Sequence, residues 1–199
     1  MTVDGSAPDL ERIGVKVFCA DGSSVPLVEF IPIFHRWIQR RALDGTLIDV
    51  ADYSHVARGP GILLVAHEGI YSIDEGGGRR GLAYSLRHAS GGTLGERLAG
   101  VTRAALAACA ALAAEPELAG RIGFRGDELA LFANDRLLAP NTEATLAAVR
   151  GDVRALLARL YPGADCAVTR APDPGERFAL AVKAPGPVSV ATLLDRLGA

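Results

Sequence analysis

The sequence predicts an α+β fold: a mainly antiparallel sheet with two long helices packed on one face. Short segments that alternate apolar and polar residues, or that are continuously apolar, are separated by Gly- and Asp-rich turns, as strands in hairpins are. Two longer segments, one after Thr93 and one over 142–160, carry apolar residues at helical spacing. Strands interspersed with helices in this order favour helices layered on an antiparallel sheet.

The first half of the chain predicts a strand, a helix and four further strands. Residues 13–20 alternate apolar and polar side chains, and a Gly- and Ser-containing turn follows. A helix is predicted over 28–41, with Pro32 in its first turn, where a missing N–H group costs little. Gly76–Gly78 predicts a hairpin tip. The further strands are predicted over 47–50, 62–67, 71–74 and 82–87.

The second half predicts the two long helices and four short strands. Thr93 is a suitable N-cap for the first helix, and Asn141 or Thr142 for the second. The strands are predicted over 121–124, 128–133, 165–170 and 178–183, before a short helix over 189–197. The order of long helix, strand, turn and strand thus occurs twice, which suggests a repeated helix–strand–strand unit in the C-terminal half.

Length and composition predict one domain or two small lobes that share a core. The chain has 199 residues, of which 49% are hydrophobic and 22% charged, as in an ordinary globular protein. Residues 1–11 are expected to form a flexible lead-in. Residues 12–90 form a predicted N-terminal lobe that carries the candidate site, and 91–199 a C-terminal lobe. The two lobes either stand apart or share one sheet.

Charge and cysteine content exclude several classes of protein. The net charge is −2 and no basic stripe occurs, which disfavours nucleic-acid binding. No apolar run approaches the ~20 residues needed to span a bilayer, and the polar N-terminus lacks the pattern of a signal peptide. Three separated cysteines without a C-x-x-C motif indicate reduced core residues. We therefore expect a cytoplasmic protein.

The first candidate site lies within residues 30–71, which hold three of the four histidines and the only tryptophan. Asp52, Tyr53 and His55 follow the predicted strand over 47–50, and polar side chains at a strand end often form sites on a rigid scaffold. His55 can act as an acid/base catalyst or a metal ligand, oriented by Asp52. In the alternative, Asp52 caps a turn and His55 lies on the surface.

A second histidine, His67, ends the next predicted strand. If that strand neighbours the first, His55 and His67 can form a transition-metal site that Asp49, Asp52 or Glu68 completes. An adjacent His and Glu on an extended chain point to opposite faces, and Tyr71 replaces the second histidine of the H-E-x-x-H motif. In the alternative, His67 donates to a backbone carbonyl.

Two further groups are candidate binding residues. Arg36, Trp37 and Arg40 share one predicted helix, whose aromatic side belongs in the core while its arginines face solvent or a protein partner. Asn134 and Arg136 lie in the loop before the second long helix. They can bind a polar ligand near its N-terminus or stabilise the loop.

The sequence contains no nucleophile elbow, nucleotide fingerprint or redox motif. We therefore expect an accessory or regulatory binding protein that acts through its N-terminal lobe on a protein partner or a second copy, with a small-molecule ligand as an alternative. The rival hypothesis is a hydrolase-like metal-dependent or acid/base enzyme that uses His55 and His67. A third is a carrier of haem or another small molecule bound by Tyr53, His55 or His67. The sequence does not indicate which cofactor, if any, the protein binds.

Overall fold

The computed structural model describes residues 10–56, 59–88 and 91–198, which form one eight-stranded antiparallel sheet and four α-helices. The strands are β1 (Ile13–Cys19), β2 (Leu47–Tyr53), β3 (Gly61–Ala66), β4 (Gly69–Asp74), β5 (Gly81–Leu86), β6 (Phe124–Ala133), β7 (Ala167–Arg170) and β8 (Ala179–Lys183). The helices are α1 (Phe30–Arg40), α2 (Leu94–Ala113), α3 (Glu143–Leu160) and α4 (Val190–Arg196). The predicted α+β class is confirmed.

The strand order is β2-β3-β4-β5-β1-β6-β8-β7, so the first strand lies near the middle of the sheet. Val17 of β1 pairs with Leu82 of β5, and Val15 pairs with Leu131 of β6. Because β5 ends the predicted N-terminal lobe and β6 belongs to the C-terminal lobe, the two lobes contribute strands to one sheet. The buried apolar side chains form one cluster that includes residues of both.

Side-chain alternation explains why the helices cover only one face of the sheet. Val15 and Val17 are fully buried on the face that packs against α2, whereas Gly14 and Lys16 point to the other face. Neighbouring strands repeat this division, with large aliphatic or aromatic residues under the helices and mostly small residues opposite. Small side chains bury little apolar area, so the second face gains less free energy from a covering helix.

The caps of the long helices agree with the prediction. Thr93 Oγ1 accepts from the Glu96 N–H at 3.2 Å, and the Glu96 carboxylate accepts from the Thr93 N–H at 2.7 Å, which completes a capping box. Thr142 Oγ1 accepts from the Thr145 N–H at 3.3 Å. Helix α2 packs on β1 and β5, while α3 and α4 pack against α2.

The region 121–133 differs from the prediction. It contains the single strand β6 where two short strands and a turn were expected. Leu129 pairs with Val17 and Phe124 with Cys19, and a register shift between these two pairs takes up the residues around Gly126 as a bulge. The Tyr161 hydroxyl donates to the Gly126 carbonyl at 2.7 Å, and a side chain at this position would collide with the Val188 carbonyl. Gly126 therefore serves close packing and does not form a turn. Within the described residues of the C-terminal half, the order of helix, strand, turn and strand therefore follows α3 but not α2.

Candidate functional site

The structure places His55 and His67 at opposite ends of the β2–β3 hairpin. Pairing with β3 extends β2 to Tyr53, so His55 follows the last residue of β2, whereas the His67 N–H donates to the Thr46 carbonyl just before β2 begins. The seven residues of β2 span roughly 20 Å. The strands are neighbours as expected, but they are antiparallel, so the two histidines do not form the shared metal site considered from the sequence.

Both histidines are exposed, and each has a near neighbour in the chain. The Tyr53 and His55 rings stack with centroids 6.5 Å apart. His67 Nδ1 lies 3.6 Å from the Glu68 carboxylate. The two side chains come closer than an extended chain would place them, because both residues lie in the turn after β3.

Asp52 has a local structural role. Its Oδ1 accepts a hydrogen bond from the Ser54 N–H at 2.8 Å, and the hydrogen bonds from Ser54 hold the pKa of this carboxyl below its usual value. Within the described ranges, no three His, Cys, Asp or Glu side chains are grouped so that they could hold a metal ion. Catalysis by Asp52, Tyr53, His55 and His67 remains a prediction.

Glu115, which the sequence did not single out, holds the candidate residues of α1. The buried Trp37 donates its Nε1–H to Glu115 Oε1 at 2.7 Å, and Arg36 donates to Oε2 at 2.9 Å. An Arg40 nitrogen lies 3.6 Å from Oε1. Desolvation alone would raise the pKa of Glu115, but the hydrogen bonds and positive charges lower it overall. In this structure Arg36, Trp37 and Arg40 connect α1 to the end of α2; a role in partner binding remains a prediction.

The other two candidate binding residues hold the segment between β7 and β8. Asn134 Oδ1 accepts from Arg177 Nη1 at 2.9 Å, and Arg136 donates to the Gly175 carbonyl. Asn141 does not cap α3; it donates to backbone carbonyls of the same segment. Of these residues, Asn134 also borders a groove on the sheet.

The helix-free face of the sheet contains this groove, which has a volume of about 580 Å³. Its lining comes from six strands that are consecutive in the sheet: β3, β4, β5, β1, β6 and β8. The segments before β3 and β8 form parts of its rim. Residues far apart in the strand order therefore line one groove. We call it the sheet groove. The lining residues that matter most are Lys16, Ser72, Ala83, Ala130, Phe132 and Arg177.

Lys16 is 4% exposed, and neighbouring oxygen atoms in the groove compensate its positive charge. Its Nζ lies 3.0 Å from the Asp74 carboxylate and donates to the carbonyls of Gly76 and Arg79 at 3.1 and 2.6 Å. Burial lowers the pKa of Lys16, and Asp74 acts in the opposite direction. With three partners for its three N–H groups, Lys16 fastens the β4–β5 hairpin to β1.

Phe132 and Arg177 form a stack at one side of the groove. A side chain at Gly14 would lie 2.5 Å from the Phe132 ring, so the glycine is what allows the ring to lie against β1. The guanidinium carbon of Arg177 lies 3.9 Å from the ring centroid. One of its five N–H groups donates to Asn134. The other four have no hydrogen-bond partner among the residues that the structure describes.

Ser72 supplies a second polar group without a partner. It lines the groove and is only 9% exposed. Its hydroxyl makes no hydrogen bond to any described part of the chain. A hydroxyl without a protein partner can hydrogen-bond a ligand or water in the groove.

No helix in the described part of the chain is both long and apolar enough to cross a membrane. No protein-family model matches the sequence, and no curated protein is significantly similar to it. Function is therefore inferred from the geometry of the sheet groove.

Proposed function

We propose that this chain is a binding protein that holds a small organic molecule in the sheet groove. The observation that carries the proposal is a groove of about 580 Å³ on the sheet face that no described helix covers. Ligand pockets usually have volumes of ~300–1,000 Å³ and apolar linings with a few polar groups. The groove includes β1, β4 and β5 of the predicted N-terminal lobe and extends to β6 and β8.

The residue types across the floor support this proposal. Ser72, Ala83, Lys16 and Ala130 follow one another from β4 to β6 in the strand register, and three of the four are small. Small side chains leave room above the sheet, while the rings of Phe18 and Phe132 supply apolar walls. Each Å² of apolar area that a ligand buries there contributes about 25 cal/mol.

The enzyme alternative has less geometric support. It requires His55 and His67 in one pocket, and the antiparallel pairing of β2 with β3 separates them. The carrier alternative is closer to the proposal, although the groove is lined by other residues than the tyrosine and histidines considered for it.

The test is a titration with Nile red, a neutral apolar dye whose emission rises in apolar surroundings. Ala130→Leu should fill the floor of the groove and weaken binding about tenfold or more, which corresponds to ~1.4 kcal/mol. Ala181→Leu is the matched control, because Ala181 is the cross-strand neighbour of Ala130 on the same face but is exposed and outside the groove. Far-UV circular dichroism checks that both variants fold.

Two results would refute the proposal. One is a failure of the folded wild-type protein to bind the dye. The other is an equal loss of affinity in Ala130→Leu and Ala181→Leu, because dye bound anywhere else on the surface would not distinguish two neighbouring alanines.

A further inference from the structure

We infer that the ligand of the sheet groove is an organic anion with an apolar body, and that Arg177 binds its carboxylate or similar acidic group. This inference rests on the proposed function and adds the chemical class of the ligand. Three features support it: the position of Arg177 against the Phe132 ring, its lack of an ion pair with any described residue, and the unpartnered hydroxyl of Ser72.

The Phe132 ring, which lies against Gly14, positions the guanidinium of Arg177. The guanidinium carbon lies 3.9 Å from the centroid of the Phe132 ring, and this cation–π contact holds the guanidinium and its five N–H groups at this side of the groove. Asn134 occupies one of these groups. The N–H groups on the opposite edge of the guanidinium can bind a carboxylate through two parallel hydrogen bonds.

The described lining of the groove contains two positive and two negative side chains but only one ion pair. Lys16 and Arg177 both interact with the carboxylate of Asp74, and Arg177 also interacts with that of Glu176. Lys16 lies 3.0 Å from Asp74, whereas Arg177 has no ion pair with any described residue. The Arg177 charge is therefore held in a partly desolvated place without a direct ionic partner, and the acidic group of a ligand can supply one.

Arg177 is exposed as a whole residue, but its guanidinium is close enough to other protein atoms that desolvation lowers its pKa, with Asp74 and Glu176 acting in the opposite direction. A charge-assisted hydrogen bond is stronger in such surroundings than in water. The site is thus better placed to bind an anion than an arginine on an open surface.

Glu176 also lines the groove and opposes an anion. Its side chain is exposed at the rim, where water screens its charge, so its effect should be smaller than that of Arg177. Arg177 and Glu176 are adjacent, and their substitutions should change the affinity for an anion in opposite directions. Loss of the Arg177 charge should weaken anion binding, and loss of the Glu176 charge should strengthen it.

Ser72 lies on β4, three strands away from Phe132 on β6, or roughly 14 Å along the sheet. The residue is 9% exposed and lines the groove, and its hydroxyl has no hydrogen-bond partner among the described residues. A ligand held by Arg177 therefore extends over the alanine floor towards β4, and Ser72 can hydrogen-bond a second polar group on it. These positions favour an elongated anion.

The experiment compares octanoate with 1-octanol, which have the same chain length but differ in charge, by isothermal titration calorimetry. The proteins are wild type, Arg177→Gln, Glu176→Gln and Arg154→Gln. Arg154 is the control, because it is exposed on α3 and lies outside the groove, and its substitution changes the net charge equally. Circular dichroism checks that each variant folds.

We expect wild type and Arg154→Gln to bind octanoate more tightly than 1-octanol. Arg177→Gln should weaken octanoate about 10- to 100-fold, the range for a lost hydrogen bond to a charged group, and should leave 1-octanol almost unchanged. Glu176→Gln should strengthen octanoate binding by a smaller factor. Added salt should weaken octanoate binding more than 1-octanol binding.

The failures of the two proposals are distinguishable. If Nile red and 1-octanol bind in the groove and octanoate binds no more tightly than 1-octanol, or responds equally to Arg177→Gln and Arg154→Gln, the groove binds ligands but the inference about anions is wrong. If neither probe nor the dye binds the folded protein, the proposed function itself is wrong.

Discussion

Lys16 shows how the role of one residue depends on its surroundings. In the sequence it is the polar member of an alternating strand, which predicts an exposed side chain. In the structure it is 4% exposed and bound by Asp74 and two backbone carbonyls. A buried ion pair of this kind contributes little compared with well-packed apolar residues, but removing one partner leaves a charge without compensation.

We therefore expect Asp74→Asn to lower the free energy of unfolding by about 3 kcal/mol. The double variant Lys16→Met, Asp74→Leu should be less destabilised than Asp74→Asn alone, because it removes both charges. Urea denaturation followed by circular dichroism measures both values. A loss below about 1 kcal/mol in Asp74→Asn would mean that the backbone carbonyls and water suffice to stabilise the lysine.

At the scale of elements, Glu115 joins two helices that lie far apart in the chain. Glu115 lies just after α2, and its carboxylate accepts a hydrogen bond from the indole of Trp37 in α1, 78 residues earlier in the chain. Nothing in the local sequence indicates this contact, because Glu115 resembles an ordinary polar residue at a helix end. The side chain is only 10% exposed, so its charge is poorly solvated and depends on Trp37 and Arg36.

The pKa of Glu115 makes this connection sensitive to acid. The folded-state pKa lies below the ordinary value of 4.5, so the stabilisation is present above about pH 4.5 and is lost as the pH falls through the folded-state value. We expect Glu115→Gln, which keeps an acceptor for Trp37 but loses the charge, to be about 1–2 kcal/mol less stable than wild type at neutral pH.

That difference in stability should shrink at acidic pH, because wild-type Glu115 then becomes protonated and also loses its charge. Urea denaturation of both proteins at neutral pH and below about pH 4 tests this. A difference that stays constant across the range would show that the charge of Glu115 does not contribute.

At the scale of the whole molecule, the position of β1 joins both halves of the chain. It pairs with β5 on one side and β6 on the other, and α2 covers β1 and β5. The order of elements along the sequence allowed two lobes either to stand apart or to share a sheet. Pairing between residues 13–19 and strands more than 60 residues away decided for one sheet.

We expect this arrangement to make unfolding a single cooperative transition. Fluorescence of the only tryptophan, in α1, and far-UV circular dichroism, which reports on all elements, should give the same midpoint in urea. A fragment of residues 1–90 should not fold, because β1 would lose both β6 and α2 and expose Val15 and Val17. Separate midpoints, or a folded fragment, would instead indicate independent lobes.

The sequence by itself determined the features that depend on near neighbours. Thr93 and Thr142 cap helices through residues three positions away, and Gly76–Gly78 forms the turn between two strands. The strand at Gly126 and the separation of His55 from His67 depended instead on which strands pair and in which direction. The sheet groove likewise requires Lys16 and Arg177 at one face of the sheet. Only the tertiary structure decided these, because contacts between distant residues follow from strand order and packing, which local preferences do not specify.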